Sequence, residues 1–327
     1  MKNKGLVRAI AIIVLALAMT VPAAAQDATP ASATGSNLET ATGWLMDQQL
    51  EDGAFAGFSG DADAGTTVDA MFALVSARDA GIDTGTSIED ALGYLASGDV
   101  ALVYQQIGVG QAAKLALALI AAGEDPADFA KTAPILIVQH GQDADTGMYG
   151  SQLYDHAYAM LALVAHDDEI PSSSFDVLTS TQAANGGWAF DGSTDEASAD
   201  SNTTAMIVQA LVASGNGEHE TMAGALEFLA STVTESGAAY APGAEADGNS
   251  TALVLQAMIA TGGDTSGLQA ALATFQNENG SFFYQAADTS DNLFTTVQAI
   301  PAAAGDVLPI VPTGEATPVA ATWQIAA

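Results

Sequence analysis

The chain has 327 residues, with six Lys and Arg against 39 Asp and Glu, a formal charge of −33, and no cysteine. With almost nothing to neutralise phosphate, nucleic acid and anionic membrane surfaces are excluded as partners. The absence of thiols excludes disulfides and thiolate-bound metals, so an exported chain of this kind must be held by a packed core.

The first element is a leader. MKNKGLVRAIAIIVLALAMTVPAAAQ has Lys2, Lys4 and Arg8, an apolar run from Ala9 to Val21 too short for a comfortable membrane span, and Ala23-Ala24-Ala25 as a small-residue cleavage pattern. Residues 1–25 are read as a signal peptide and 26–36 as a linker, which makes the mature protein secreted or displayed at the cell surface, with no membrane span after cleavage. Arg78, Lys114 and Lys131 are then the remaining basic residues. Such acidity reads as a soluble coat or, alternatively, as a surface for cations.

Residues 37–304 alternate between two kinds of apolar segment. Residues 66–77, 111–122, 154–165, 202–213, 249–260 and 292–303 carry Ala and Leu at i, i+3, i+4 and i+7 and are apolar nearly all round. That pattern predicts helices enclosed by protein. Between them, residues 38–49, 87–97, 128–139, 174–182, 221–231 and 268–276 are more one-sided, and are read as outer helices. Ser87 with Glu89 and Asp90, and Asp125-Pro126, supply helix starts, while Gly81, Gly123, Gly215 and Gly262 follow inner helices as stops. The expected fold is all-α: six outer/inner pairs forming an α/α toroid, with an open solenoid as the other arrangement of the same repeat. Pro301, inside the sixth inner helix, is compatible with that unit being an end cap.

A short motif recurs after the outer helices. QLEDGAF from Gln49, QAANGGW from Gln182 and QNENGSF from Gln276 share Gln, Gly and an aromatic residue. Gln49, Gly53 and Phe55, then Gln182, Gly186 and Trp188, then Gln276, Gly280 and Phe282, are predicted to be structural clamps. The amide bridges helix-end backbone groups, the glycine turns, and the ring folds back over the pair. QDADTGMY from Gln142 is a weaker copy, and the second unit has none.

In a toroid the inner helices start at one mouth. Asp63, Thr67, Tyr154, Asp155, His156, Asp200, Asn202, Thr204, Asp247, Asn249, Thr251 and Asp291 are the candidate residues lining or approaching it, since ligands bind where polar groups converge in a concavity. Asp-x-(Asn/Gly)-(Ser/Thr)-Thr, seen at Asp63, Asp200 and Asp247, also suits helix N-capping. Gln209, Gln256 and Gln298 recur inside the apolar helices and need partners, across helices or in a central cavity.

The Gln…Gly-x-aromatic loops between helix pairs resemble the QW repeats of squalene and oxidosqualene cyclases. Protein prenyltransferase β-subunits and cobalamin carriers such as intrinsic factor belong to the same superfamily, and the likeness spans residues 37–304. It implies a terpenoid cyclase/prenyltransferase toroid. The cyclase acid motif Asp-x-Asp-Asp-Thr-Ala is matched by Asp200-Ser201-Asn202-Thr203-Thr204-Ala205, with Asn202 at the proton-donor place, so Asp200 is the one candidate catalytic residue that resemblance leaves. The Cys of the prenyltransferase zinc site is missing, and no metal is expected. Ca²⁺ at DADTG (143–147) or at 191–202 is the remaining cofactor option, otherwise none. Residues 305–327 form a Pro/Thr-rich C-terminal extension rather than the β-domain of a cobalamin carrier. The sequence therefore reads as an exported, non-catalytic toroid binding a small molecule, a glycan or a surface protein at its mouth. The alternative is a divergent squalene/hopene-type cyclase or a polysaccharide-active toroid enzyme.

Overall fold

A computed structural model describes residues 33–310. The leader (1–25), most of the linker and residues 311–327 of the extension lie outside that span.

Thirteen helices are present among the described residues. The enclosed ones are α2 (Ala64–Asp79), α5 (Val109–Ala122), α7 (Leu153–Ala165), α9 (Ser201–Ala213), α11 (Gly248–Ala260) and α13 (Leu293–Ala304). Around them lie α1 (Ala33–Asp47), α3 (Ser87–Ala96), α4 (Val100–Gln105), α6 (Pro134–Gln139), α8 (Ser172–Thr181), α10 (Met222–Thr232) and α12 (Ser266–Thr274). Each inner helix packs on the next, from α2 through α5, α7, α9 and α11 to α13, and α13 packs back on α2. The ring is closed. Its sixth member is a full stave, because Pro301 sits inside α13 without ending it.

The inner helices are apolar all round because both sides are covered. Ala70, Ala73, Ala77, Ala113, Ala116, Ala159, Ala210 and Ala257 are fully buried, and their small side chains let neighbouring backbones approach while Leu and Met fill the gaps. The outer helices bury one face. In α10, for example, Ala225, Phe228 and Leu229 are buried and Glu227 is exposed.

Three two-stranded antiparallel pairs brace the loops: β1 (Phe55–Ala56) with β2 (Ala62–Asp63), β3 (Trp188–Ala189) with β4 (Ala199–Asp200), and β5 (Val233–Thr234) with β6 (Gly237–Ala238). In the first two, the register sets Phe55 opposite Asp63 and Trp188 opposite Asp200. The residue that packs into the core is thereby tied to the residue that caps the next inner helix.

Two elements differ from expectation. Helix α6 begins at Pro134 rather than near residue 128, because Phe129 and Thr132 pair across a tight turn in which Ala130 and Lys131 take positive φ. Proline at the first helical position costs no hydrogen bond. Helix α4 fills the second unit, where no clamp exists. Residues 305–310, read as the start of the extension, belong to the core: Leu308 and Ile310 are buried, and the Leu308 N–H donates to Gln209 Oε1 at 2.9 Å. Gln256 bonds across helices, from Nε2 to the Gln298 carbonyl at 3.3 Å.

Candidate functional site

The mouth is built on the first turns of the inner helices. Asp63, Asp200 and Asp247 are their N-caps, accepting the N–H of Thr66, Thr203 and Ser250 at 2.7 Å in each case, and Asn292 does the same for Thr295 at 2.9 Å. The following hydroxyl is used twice. Thr67, Thr204, Thr251 and Thr296 donate to the carbonyl of the cap residue and accept the N–H of Phe55, Trp188, Ala238 and Phe282. His156 is fully buried, with Nδ1 accepting the Tyr149 N–H at 3.1 Å and Nε2 donating to the Ser174 carbonyl at 3.0 Å. Burial pushes its pKa down to about 4, so the ring is neutral.

These bonds correct part of the expected lining. Thr67, His156, Asp200, Thr204, Asp247 and Thr251 lie beneath the surface with their polar atoms engaged by protein. Asp63 and Asp291 are exposed, while Tyr154, Asp155, Asn202 and Asn249 are half-buried at the opening. Asp291 braces its own loop, accepting from Ser281 at 2.6 Å and from Asn277 and Asn279, bonds that hold its carboxyl below the usual range.

The clamps lie outside this opening. Gln49 Nε2 donates to the Gly53 and Ser87 carbonyls at 2.9 Å, and Gln182 Nε2 donates to those of Gly186 and Thr221 at 2.8 Å. Gln276 Nε2 reaches the Gly280 carbonyl at 3.1 Å. Each amide thus holds its own turn, and the first two also hold the start of the next outer helix. The turn glycines have positive φ and lie against backbone: Gly53 on Asp90, Gly186 on Gly224, Gly280 on Thr40 of α1. Phe55, Trp188 and Phe282 are buried, and the Trp188 indole N–H donates to the Leu178 carbonyl at 3.0 Å. Gln142, the weaker copy, bonds Gly147, Ser173 and Ser174 in the same manner.

A rim of aromatic side chains was not among the residues expected. Phe190, Tyr240 and Tyr284 are each two residues past the buried clamp position of their unit. Their carbonyls accept the first helical N–H of the preceding inner helix: Leu153 at 2.9 Å, Ser201 at 2.8 Å and Gly248 at 2.8 Å. Their backbone is therefore anchored at helix starts, and all three side chains are more than 40% exposed. Phe58, 92% exposed, stacks on Phe294 of α13 at 3.8 Å, which continues the rim across the closure of the ring. Tyr240 bonds the Asp200 carboxylate. Burial pushes the Asp200 carboxyl up while bonds from Thr203 and Tyr240 pull against it, and the Tyr240 phenol is raised to about 12.

From the rim, aromatic rings lead inward. Phe190 lies 6.0 Å from Tyr154, Tyr154 lies 5.5 Å edge-on to Tyr158, and the Lys114 ammonium sits 5.7 Å over the Tyr158 ring. Lys114 Nζ contacts Asp69 Oδ1 at 2.5 Å, and both side chains are under one-fifth exposed. Burial disfavours the ammonium, but Asp69, Tyr158 and Tyr104 outweigh it and hold the Lys114 pKa well above the usual lysine value. Burial likewise raises the Tyr158 phenol, to about 12.

Elsewhere, a groove of about 360 Å³ lined by Arg78, Ile82, Thr84, Ile88 and Glu124 lies at the C-terminal turns of α2 and α5, away from the mouth. Among the described residues no group of three His, Asp or Glu is placed to hold a metal, and no helix is long and apolar enough to cross a membrane. In the DADTG loop, Asp143 Oδ1 is taken by the N–H groups of Asp145 and Thr146 and by the Thr146 hydroxyl.

No protein-family model and no curated protein matches the chain. Solved structures do. The α-1,6-mannanase GH76A of Salegentibacter sp. HEL1_6 superposes with a TM-score of 0.62 at 12% identity, covering 83% of this chain and 98% of the mannanase. The apo type II terpene cyclase MstE from Scytonema gives 0.57 at 15%, covering 83% and 97%. Haptocorrin in complex with Cbi gives 0.53 at 15%, covering 83% and 67%. The chain is an α/α toroid. It shares that ring with a type II terpene cyclase, an α-1,6-mannanase and haptocorrin, so the toroid itself does not select among their chemistries.

Proposed function

We propose that this toroid is an exported, non-catalytic binding protein whose ligand, a small molecule or glycan, sits in the mouth formed by the inner-helix N-termini. The observation that carries the reading is the set of exposed rings at those N-termini: Phe190, Tyr240 and Tyr284, whose carbonyls accept the first helical N–H groups, and Phe58, stacked on Phe294. Rigid aromatic groups around a concavity provide contact area at little entropic cost. The neighbouring structures agree in kind: a mannanase variant is in complex with α-1,6-mannotriose, a cyclase variant with its product merosterolic acid A, and haptocorrin with Cbi.

Three features speak against catalysis. The cyclase donor place is Asn202, and an amide is no acid. Asp200 is spent on the α9 N-cap. Asp69, on an inner helix, is engaged by the Lys114 ammonium. The inactive mannanase variants carry substitutions at two neighbouring aspartates. The adjacent pair in this chain, Asp167-Asp168, follows the C-terminal end of α7, where Asp168 accepts from Gln139 and contacts His166.

Calorimetric titration of the secreted protein with α-1,6-mannotriose and with cobinamide tests the reading. Binding of either is expected to weaken in Phe190→Ala and Tyr240→Ala with the melting temperature retained. Binding indifferent to both substitutions, or turnover of the probe, overturns it.

A further inference from the structure

The floor of the mouth has two unlike halves. The sixth residue of each inner helix is, in order around the ring, Asp69, Lys114, Tyr158, Met206, Leu253 and Gln298. Gln298, Asp69 and Lys114 are consecutive around the closed ring, and each is partly exposed, while Met206 and Leu253 are buried. A polar arc therefore faces an apolar one across the axis.

The polar arc differs from the three capping aspartates at the mouth. Asp63, Asp200 and Asp247 have their carboxylates bound to helix starts. Asp69 caps nothing. Among the described residues its Oδ1 has the Lys114 ammonium as its close neighbour and accepts no hydrogen bond from backbone or hydroxyl. Lys114 has three N–H groups. One direction is spent on Asp69 and another on the Tyr158 face. With Oδ1 buried against Lys114, the partly exposed pair offers the other carboxylate oxygen as an acceptor beside a charged donor, at the foot of the aromatic series Phe190, Tyr154 and Tyr158.

We infer that the mouth takes a neutral oligosaccharide, and that Asp69 and Lys114 together read a vicinal diol of one sugar ring. One hydroxyl donates to the Asp69 carboxylate and its neighbour accepts from the Lys114 ammonium. The apolar face of the sugar lies on the tyrosine and phenylalanine rings. A neutral ligand suits the charges. The single cation at the floor is already balanced, and a strongly acidic protein repels anions. Bonds between charged groups and hydroxyls are also stronger than neutral ones, and they give orientation as well as affinity.

This inference rests on the mouth being the binding site, and its test separates the two. The full secreted chain is titrated with neutral trisaccharides of manno, gluco and galacto configuration, with the deoxy analogues of whichever binds, and with cobinamide. At least one trisaccharide is expected to bind, and removing one hydroxyl of its diol is expected to weaken binding roughly tenfold or more, the usual loss when a charged hydrogen bond goes unmade. Asp69→Asn and Lys114→Gln are each expected to weaken it similarly. The deoxy series uses the unaltered protein, so the result stands even if those variants fold poorly. If cobinamide binds and no trisaccharide does, the saccharide inference is overturned and the mouth reading stands. If a trisaccharide binds and loses affinity in Phe190→Ala but not in Asp69→Asn, in Lys114→Gln or as its deoxy analogues, the ion pair is not the reader. If binding is indifferent to rim and floor alike, or nothing binds, both readings fall.

Discussion

His156 stands where Thr204 stands. Each is the fourth residue of its inner helix, and each accepts the backbone N–H of the ring that seals its repeat, Tyr149 at 3.1 Å and Trp188 at 3.0 Å. The histidine goes one step further than the threonine, since its second nitrogen donates to Ser174 of α8. It joins inner helix, loop and outer helix with one side chain.

That position makes His156 a source of acid sensitivity. Its folded pKa of about 4 lies below the ordinary 6.5, so the unfolded chain takes up the proton first. The contribution is full above the unfolded value and is lost as pH falls from 6.5 towards 4, at up to about 1.4 kcal/mol per pH unit. Asp200 and Asp247, raised by burial, act in the opposite sense and gain stability as pH falls through their folded values. His156→Gln is expected to lower the melting temperature at pH 7 but to flatten its fall between pH 6.5 and 4. Thermal melts of both proteins across that range provide the check.

Gly186 admits no side chain. It has positive φ and lies against the Gly224 carbonyl of α10, so a Cβ meets backbone that cannot yield. Gly186→Ala is expected to cost more than about 2 kcal/mol, a strained backbone plus an overpacked contact. Gln182→Ala, which removes two bonds and leaves the turn intact, is expected to cost about 1–3 kcal/mol. Equilibrium urea unfolding ranks the two, and equal costs would mean that the amide, not the close approach, sets the joint.

The N-cap at Asp247 tolerates one exchange and not another. Asn292 holds the same place on α13 through the same bond, so Asp247→Asn is expected to change stability little. Asp247→Ala is expected to cost about 1–2 kcal/mol. Chemical denaturation distinguishes capping from a need for the charge, which would make the two substitutions equally harmful.

The Leu308 N–H is buried against Gln209 Oε1. Gln209→Leu leaves that donor without its acceptor and is expected to cost about 1–3 kcal/mol, although leucine is the more apolar residue. Leu308→Ala is expected to cost about 2–5 kcal/mol by opening a cavity in the shared core. A stability unchanged by either would show residues 305–310 to be dispensable packing.

Much of this architecture was legible because burial on all sides leaves an unmistakable trace. The six Ala/Leu segments fall within two or three residues of the ends of the inner helices. The Gln49, Gln182 and Gln276 loops announced joints because a glycine at positive φ and a ring to bury are costly to place at random. Helix α4 was invisible, being six residues long in the one unit without that loop. The rim was missed because Phe190, Tyr240 and Tyr284 stand on irregular segments, where no helical or strand period marks a face. Asp69 and Lys114 were missed for a different reason. They are 45 residues apart, each set in an apolar stretch of its helix, and become neighbours when two inner helices are set side by side in register.

Closure has a consequence for how such a chain can be made. Helix α13 rests on both α1 and α2, and Gly280 is seated on Thr40, so the earliest and latest parts of the fold are mutual supports. A polypeptide emerging from its amino end carries an unfinished seam along α2 until α13 arrives to cover it. Halting synthesis short of that point yields not a smaller bowl but a split one, with two raw flanks seeking each other in neighbouring molecules.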